Sequence, residues 1–251
     1  MKAQIQKLVN RLPKPWTRRL YWTAVSLFGA DQSPVYNMYH HIANLKKLGF
    51  KPDLIIDGGA YVGDWTKSVR KIYPDATFVM VEAQPAKRVI LQAVASEFDN
   101  VNFEIALLGD AEKEMDFFEM ETGSSIYEEN TNYDRQKTTL MMHTLDSVAD
   151  KYRKPESCFI KLDVQGAEID ILKGAPNLLT KTDFILLEIS TLNYNENAPQ
   201  FFDVILFMKN IGFVVFDIAD ERRTHDGILF QTDLIFVKES SPFRRAVDFK
   251  R

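Results

Sequence analysis

The chain of 251 residues has a single cysteine, Cys158, so no intrachain disulfide can form, and this usage fits a reducing compartment. Cys158 beside the apolar run "FIKLDV" is read as a buried filler. No apolar run approaches the ~20 residues that a membrane-crossing helix needs. An excess of positive charge is also missing: 31 Lys and Arg against 35 Asp and Glu leave a net charge of −4, which disfavours a nucleic-acid partner. The four histidines and one cysteine show no ligand spacing, so no metal site is expected. Internal repeats and low-complexity segments are absent too. What is there, 45% hydrophobic and 26% charged residues, is the composition of one globular domain with additions.

The charge that is present is unevenly placed. Lys2, Lys7, Arg11, Lys14, Arg18 and Arg19 all precede the first acid, Asp31, and frame the short apolar run "LYWTAVSLFGA". Two readings compete for residues 1–30: a solvated helical extension docked on the domain, or a basic amphipathic surface that touches anionic lipid. Pro13 and Pro15 break this stretch into two short segments. We divide the chain into an N-terminal helical extension, 1–48, a main domain, 49–240, and a basic C-terminal tail, 241–251. A cytoplasmic location is expected, with peripheral contact at the inner membrane face if the second reading holds.

Apolar strand patterns alternate with helical ones along the main domain. The strands are "LIIDGG", "FVMVEA", "NFEIAL", "CFIKLDV", "FILLEIS", "FVVFDIA" and "DLIFVKE". The helical segments are "DWTKSVRKIY", "PAKRVILQAVASEF", "HTLDSVADKY", "AEIDILKGAPNLL" and "PQFFDVILFMKNIGF", the last opened by Pro199 and closed by Gly212. "EKEMDFFEME" reads as a half-solvated strand with an acidic face. Strands this apolar need cover on both faces, which predicts an α/β, doubly wound, seven-stranded, mostly parallel sheet. The last two strands are joined by "DERRTHDGILFQT" without a helix, and are read as an antiparallel pair at one end.

In open sheets of this kind ligands sit outside the carboxyl ends of the strands. Those ends carry Asp57, Glu82, Ala106, Asp163 and Glu188, four acids of five. Gathering so many carboxylates is unfavourable unless a cation, hydrogen-bond donors or water meet them. Gly58, Gly59 and Gly63 do not have the G-x-G-x-x-G spacing of a dinucleotide site, and Asp57 would repel a phosphate there. S-adenosylmethionine carries no phosphate, and its sulfonium, amino group and ribose hydroxyls suit an acid beside a glycine turn. Glu82, 19 residues beyond Gly63, is placed to accept from two ribose hydroxyls, a spacing that NAD sites share. Asp57 and the antiparallel last pair tip the balance toward the methyl donor. An NAD-dependent oxidoreductase is the enzyme alternative, and a non-catalytic binding module of the same fold is the other.

In order along the chain, "DGGAYVGDWT", "VEAQP", "TLDSVAD", "IKLDVQGAEIDILKGA", "LLEIS" and "QTDLIFVKES" resemble the successive motifs of the FkbM family of methyltransferases, from about residue 36 to the C-terminus. The resemblance implies a Rossmann-like class I methyltransferase fold and S-adenosylmethionine-dependent O-methylation, often of sugar hydroxyls in polysaccharide, glycolipid or secondary-metabolite pathways. The chain departs from the family at "DVQG", where "DVEG" is common, so Gln165 keeps hydrogen bonding without charge.

The expected cofactor set is Asp57, Gly58, Gly59, Ala60, Gly63, Glu82, Ala83, Ala106, Ser125 and Asp163. The catalytic candidates are Asp163, Glu188 and Glu168, the first two ranked as the base that takes a proton from the acceptor hydroxyl. Each has a structural reading beside it: the glycines as turn formers, Asp163 as a cap-like acid, and Glu168 as an acid placed for the helix dipole. Ser124 and Ser125 lie on a polar loop with two readings, one that closes over the cofactor and one that is plain surface, and His143 and His225 read as surface residues. The expected acceptor is a sugar-containing or small-molecule hydroxyl compound.

Overall fold

The structure is a computed structural model that describes residues 37–131, 134–152, 154–193 and 195–244. Residues 1–30, which carry the competing extension and lipid readings, and all of the basic tail beyond Arg244 lie outside the described residues.

The described chain opens with α1 (Met38–Lys47), capped by the Asn37 side chain, which accepts from the His40 backbone N–H at 3.1 Å. Ile42 and Leu45 of α1 are buried with Phe50 in the core of the domain, where Phe50 packs edge-on against Phe184 at 4.7 Å between ring centroids. This helix, read from the sequence as part of the extension, is thus packed with the domain's core.

Next come β1 (Leu54–Gly58), α2 (Asp64–Arg70), β2 (Thr77–Glu82), α3 (Arg88–Ser96), β3 (Val101–Ile105), β4 (Leu107–Gly109) and β5 (Lys113–Glu119). They are followed by β6 (Gln136–Thr144), α4 (Leu145–Ala149), β7 (Cys158–Leu162), α5 (Glu168–Lys173), α6 (Pro176–Lys181) and β8 (Thr182–Ser190). The described part closes with α7 (Phe201–Asn210), β9 (Phe213–Arg223) and β10 (Leu229–Lys238).

Seven strands form one sheet in the order β3-β2-β1-β7-β8-β10-β9, parallel except for β10, which runs antiparallel to both β8 and β9. Every residue of β1 and β7 is buried, as strands covered on both faces require. The period of two divides their side chains between two cores. Leu54, Ile56, Ile160 and Leu162 face one, Ile55, Phe78, Phe159 and Phe184 the other. The antiparallel pair predicted from the sequence is present, and its strands are longer than expected. A turn over Thr224–Ile228, closed by the Thr224 N–H to Ile228 carbonyl bond at 2.8 Å and by Gly227 at φ +89°, replaces most of the predicted loop.

Three local expectations are corrected. "NFEIAL" is not one strand: it breaks at Ala106, and Leu107–Gly109 leaves for a second sheet of order β4-β6-β5. β6 was not anticipated. "AEIDILKGAPNLL" is not one helix but α5 and α6, parted at Gly174, where a Cβ would lie 2.2 Å from the Gly109 carbonyl oxygen. Close approach of the second sheet, with Pro176 opening α6, ends the first helix there.

Candidate active site

The carboxyl ends of β1, β2 and β7 meet around the glycine turn. Gly59 has φ +71°, and a Cβ on it would sit 1.9 Å from the Asp163 carbonyl oxygen, so only glycine lets the turn after β1 lie against the turn after β7. Gly58 and Gly63 serve packing: their Cβ atoms would meet Leu162 Cδ2 at 2.6 Å and Met80 Sδ at 3.0 Å.

Asp57 lies beneath this turn, fully buried. Its Oδ2 accepts from Thr66 Oγ1 at 2.7 Å and its Oδ1 from Lys161 Nζ at 2.9 Å. The same ammonium donates to the Gly58 carbonyl at 3.2 Å and the Gly59 carbonyl at 3.0 Å. Burial alone would lower the Lys161 ammonium, but Asp57, Asp163 and Glu188 together hold it raised. The acid read as a cofactor ligand therefore has both oxygens engaged in pinning the loop. Lys161 was missed; its one sequence signal is a charge in the middle of an otherwise apolar strand.

Above the loop opens a cavity of about 780 Å³. Of the predicted residues, Gly59, Glu82, Ala83, Ala106, Ser125 and Asp163 line it, together with Ser124. Asp57, Gly58, Ala60, Gly63, Glu168 and Glu188 are not on its wall. Glu82 Oε2 accepts from the Tyr61 backbone N–H at 2.8 Å and Oε1 from that of Gln84 at 2.9 Å. Burial raises the Glu82 carboxyl, while those two bonds and Lys161 act to lower it. Two N–H bonds fix its plane and leave further lone pairs for a ligand. Among the described residues the wall carries four carboxylates, Glu82, Glu121, Asp134 and Asp163, against one cation, Arg222. That donor set fits vicinal hydroxyls and a cationic centre and is unsuited to a pyrophosphate.

One edge of the cavity is closed by the segment after β5. Glu121 Oε2 accepts from Tyr61 Oη at 2.8 Å and from Lys87 Nζ at 2.8 Å, and Lys87 Nζ lies 4.0 Å from the Tyr61 ring centroid. Gln84 Nε2 donates to the Glu121 carbonyl at 2.8 Å. This clasp joins the glycine turn, the stretch after Glu82 and the second sheet. No spacing rule in the sequence pointed to it.

The other end of the cavity is built by β7, β8, β9 and β10. Asp163 lines it with its side chain 33% exposed, and its Oδ1 accepts from Gln165 Nε2 at 3.0 Å. Glu188 stands behind: its Oε1 accepts from Gln165 Nε2 at 2.7 Å and Gln231 Nε2 at 2.8 Å, and its Oε2 pairs with Arg222 Nη1 at 2.7 Å. Glu168 turns inward, its Oε1 accepting from the Val164 and Gly166 backbone N–H groups at 3.3 and 3.2 Å, and so shapes the loop. Ser125 Oγ donates to the Gln165 carbonyl at 2.8 Å. His143 pairs with Glu112 at 2.7 Å, off the cavity wall, and His225 is exposed on the β9–β10 turn.

Burial pushes three carboxyls here well above the ordinary range: Glu168 to about 7, Asp233 to about 7, and Glu188 to about 8, the last also through the charge of Asp163 and against the pull of Arg222. Raised folded values mean that the folded state binds more protons than the unfolded chain, where carboxyls titrate near ~4. The associated stability is full at pH below those unfolded values and is lost as pH climbs through about 7 to 8. The melting temperature is therefore expected to fall between about pH 5 and about pH 8.5, with part of the slope removed in Glu168→Gln. Scanning fluorimetry across that range checks it; a flat or rising profile would contradict the raised values.

A sequence profile of the methyltransferase FkbM domain matches residues 57–215, more than half of the chain. No curated protein sequence matches. Among solved structures, a methyltransferase FkbM from Methylobacillus flagellatus KT is similar at 16% identity and a TM-score of 0.50, covering 73% of this chain and 43% of that one. The chain thus spans less than half of that protein. A precorrin-6y C5,15-methyltransferase from Geobacter metallireducens GS-15 matches at 14% identity and a TM-score of 0.46, over 84% of this chain and 94% of that one. The glycine turn, the oriented Glu82 and the strand-end acids all fall within the matched stretch, and the chain belongs to the FkbM family of methyltransferases.

Proposed function

We propose that this protein is an O-methyltransferase that acts on a hydroxyl of a sugar-containing acceptor. The observation that carries the proposal is Asp163: its carboxylate lines the same cavity as Glu82, directly beside the Gly59 turn. S-adenosylmethionine supplies an electrophilic methyl group on a sulfonium. Glu82 holds the ribose hydroxyls, and Gly59 and Ala83 offer bare surface beside them. Asp163 sits where it can accept the acceptor's hydroxyl proton, which a weakly nucleophilic alcohol oxygen needs to lose. Holding both partners in line is the larger contribution, on the order of 7–11 kcal/mol of barrier. Membership of the family sets aside the oxidoreductase alternative, and the retained Asp163 and Glu188 speak against a binding-only module.

Glu82→Ala is expected to weaken S-adenosylmethionine binding by ~1.5–3 kcal/mol, because two charge-assisted hydrogen bonds are lost together. Calorimetry showing unchanged affinity would remove the ribose assignment. For the reaction, the protein is incubated with donor and a panel of soluble and lipid-linked sugars, and products are read by mass spectrometry. An alkali-stable methyl ether supports the proposal; an alkali-labile ester or an N-methyl product as the sole outcome would overturn it. The same proposal covers the basic stretch 1–30. Among the described residues no helix is long and apolar enough to cross a membrane. Docking of a lipid-linked acceptor would then need the intact chain, and not one lacking residues 1–30, to sediment with anionic vesicles at low salt.

A further inference from the structure

Gln165, half-buried on the cavity wall, is held by more contacts than its place in a loop demands. It lies in the left-handed region at φ +56°, a conformation that a non-glycine residue adopts only when its surroundings enforce it. Its carbonyl accepts from Ser125 Oγ and from Asn195 Nδ2. Its side chain does more: Nε2 donates both to Asp163 Oδ1 at 3.0 Å and to Glu188 Oε1 at 2.7 Å, while Oε1 accepts from Gln231 Nε2 at 3.3 Å. One neutral amide thus stands between two carboxylates, its oxygen turned away from both by Gln231.

We propose that Gln165 is a positioning residue of the acceptor end of the cavity, whose side-chain amide orients Asp163 toward the acceptor by bridging it to Glu188. The proposal rests on the reading of Asp163 as the group that takes the acceptor's proton. Without the amide, Asp163 would face a crowded field. Glu188 on β8, Asp233 on β10 and Glu168 on α5 oppose its charge, and Asp134 and Glu82 lie on the same cavity wall. Among the described residues, Lys161 on β7, with Nζ at 3.9 Å, and Arg222 on β9 favour its charge, and both already have partners in Asp57 and Glu188. A donor hydrogen-bonded to the ionised form favours that form; a third carboxylate in the same place disfavours it. The amide is therefore the one group of the loop that helps Asp163 without adding charge.

The test is a carbon-13 titration of the side-chain carboxyls with the full chain, as wild type, Gln165→Met and Gln165→Glu. Methionine keeps the length and removes the donor; glutamate keeps the shape and adds a charge. The Asp163 midpoint is expected to rise in Gln165→Met and to rise further in Gln165→Glu, with S-adenosylhomocysteine affinity within about twofold of wild type in both. Should Gln165→Met fail to fold, the isosteric Gln165→Glu decides the matter alone. An unmoved Asp163 midpoint in a folded variant overturns the proposal. The titration needs no methyl transfer, so it separates the two readings: a shifted midpoint in a protein whose turnover survives Asp163→Asn leaves the role of Gln165 standing and removes Asp163 as the base.

Discussion

Asp163→Asn is expected to lower turnover ~10²–10⁴-fold, the range for loss of an acid/base group, while S-adenosylmethionine affinity stays nearly intact. The asymmetry follows from placement. Glu82 and the glycine turn, proposed to hold the donor, line the cavity from the side of β1 and β2, whereas Asp163 reaches it from the end of β7, tied to Gln165 and not to Glu82. Asparagine keeps the size of the side chain and a hydrogen-bonding oxygen but cannot take a proton. Single-turnover kinetics beside calorimetry on the same preparation reads both quantities. If affinity and turnover fall together, Asp163 belongs to the donor pocket and the base must be sought elsewhere.

The second large effect lies beneath the site. Lys161→Met should destabilise the protein by ~3–5 kcal/mol, since it strands the Asp57 carboxylate, fully buried, with Thr66 as its remaining side-chain partner. The loss has two parts: an uncompensated buried charge, and the freeing of the Gly58 and Gly59 carbonyls that the ammonium ties down. Removing both partners, as in Asp57→Leu with Lys161→Met, should recover a substantial share of the stability, because a buried pair replaced by apolar groups is often near neutral. Urea unfolding of the single and double variants measures this. A loss below about 1 kcal/mol in the single variant would mean that water or a neighbour already meets the Asp57 charge.

How much of this was legible beforehand depended on the range of the signal. Strands such as "LIIDGG" and "CFIKLDV" announce themselves because burial on both faces forces continuous apolar runs, and Glu82 and Asp163 follow from the rule that ligands meet strand ends. Asp57 was read as a cofactor ligand, and it lies off the cavity wall, paired with Thr66 and Lys161. Nothing local to it reveals that its partner is 104 residues away. β6 was missed for a related reason. "QKTTLMMHT" is two-thirds polar, and what makes it a strand is pairing with β5 on one side and β4 on the other. The split between α5 and α6 likewise depends on a carbonyl from Gly109, distant in the sequence. Glu168 and Glu188 look equivalent to Asp163 as isolated acids, and only the direction of each side chain separates the cavity-lining group from the two that brace its loop.

The second sheet has a consequence for how such a protein diversifies. The residues read as the donor side, 57–84, lie on the main sheet, while another part of the wall comes from residues 117–126, the end of β5 and the stretch that follows it, fastened to the donor side by Glu121, whose side chain meets Tyr61 and Lys87 and whose carbonyl meets Gln84. An inserted or exchanged β5–β6 connection would remodel the chamber offered to the acceptor while leaving the glycine turn, Glu82 and the buried Asp57–Lys161 pair untouched. On the proposed function, substrate range and methyl-donor use would rest on separate stretches of one polypeptide, so that the first could change without disturbing the second.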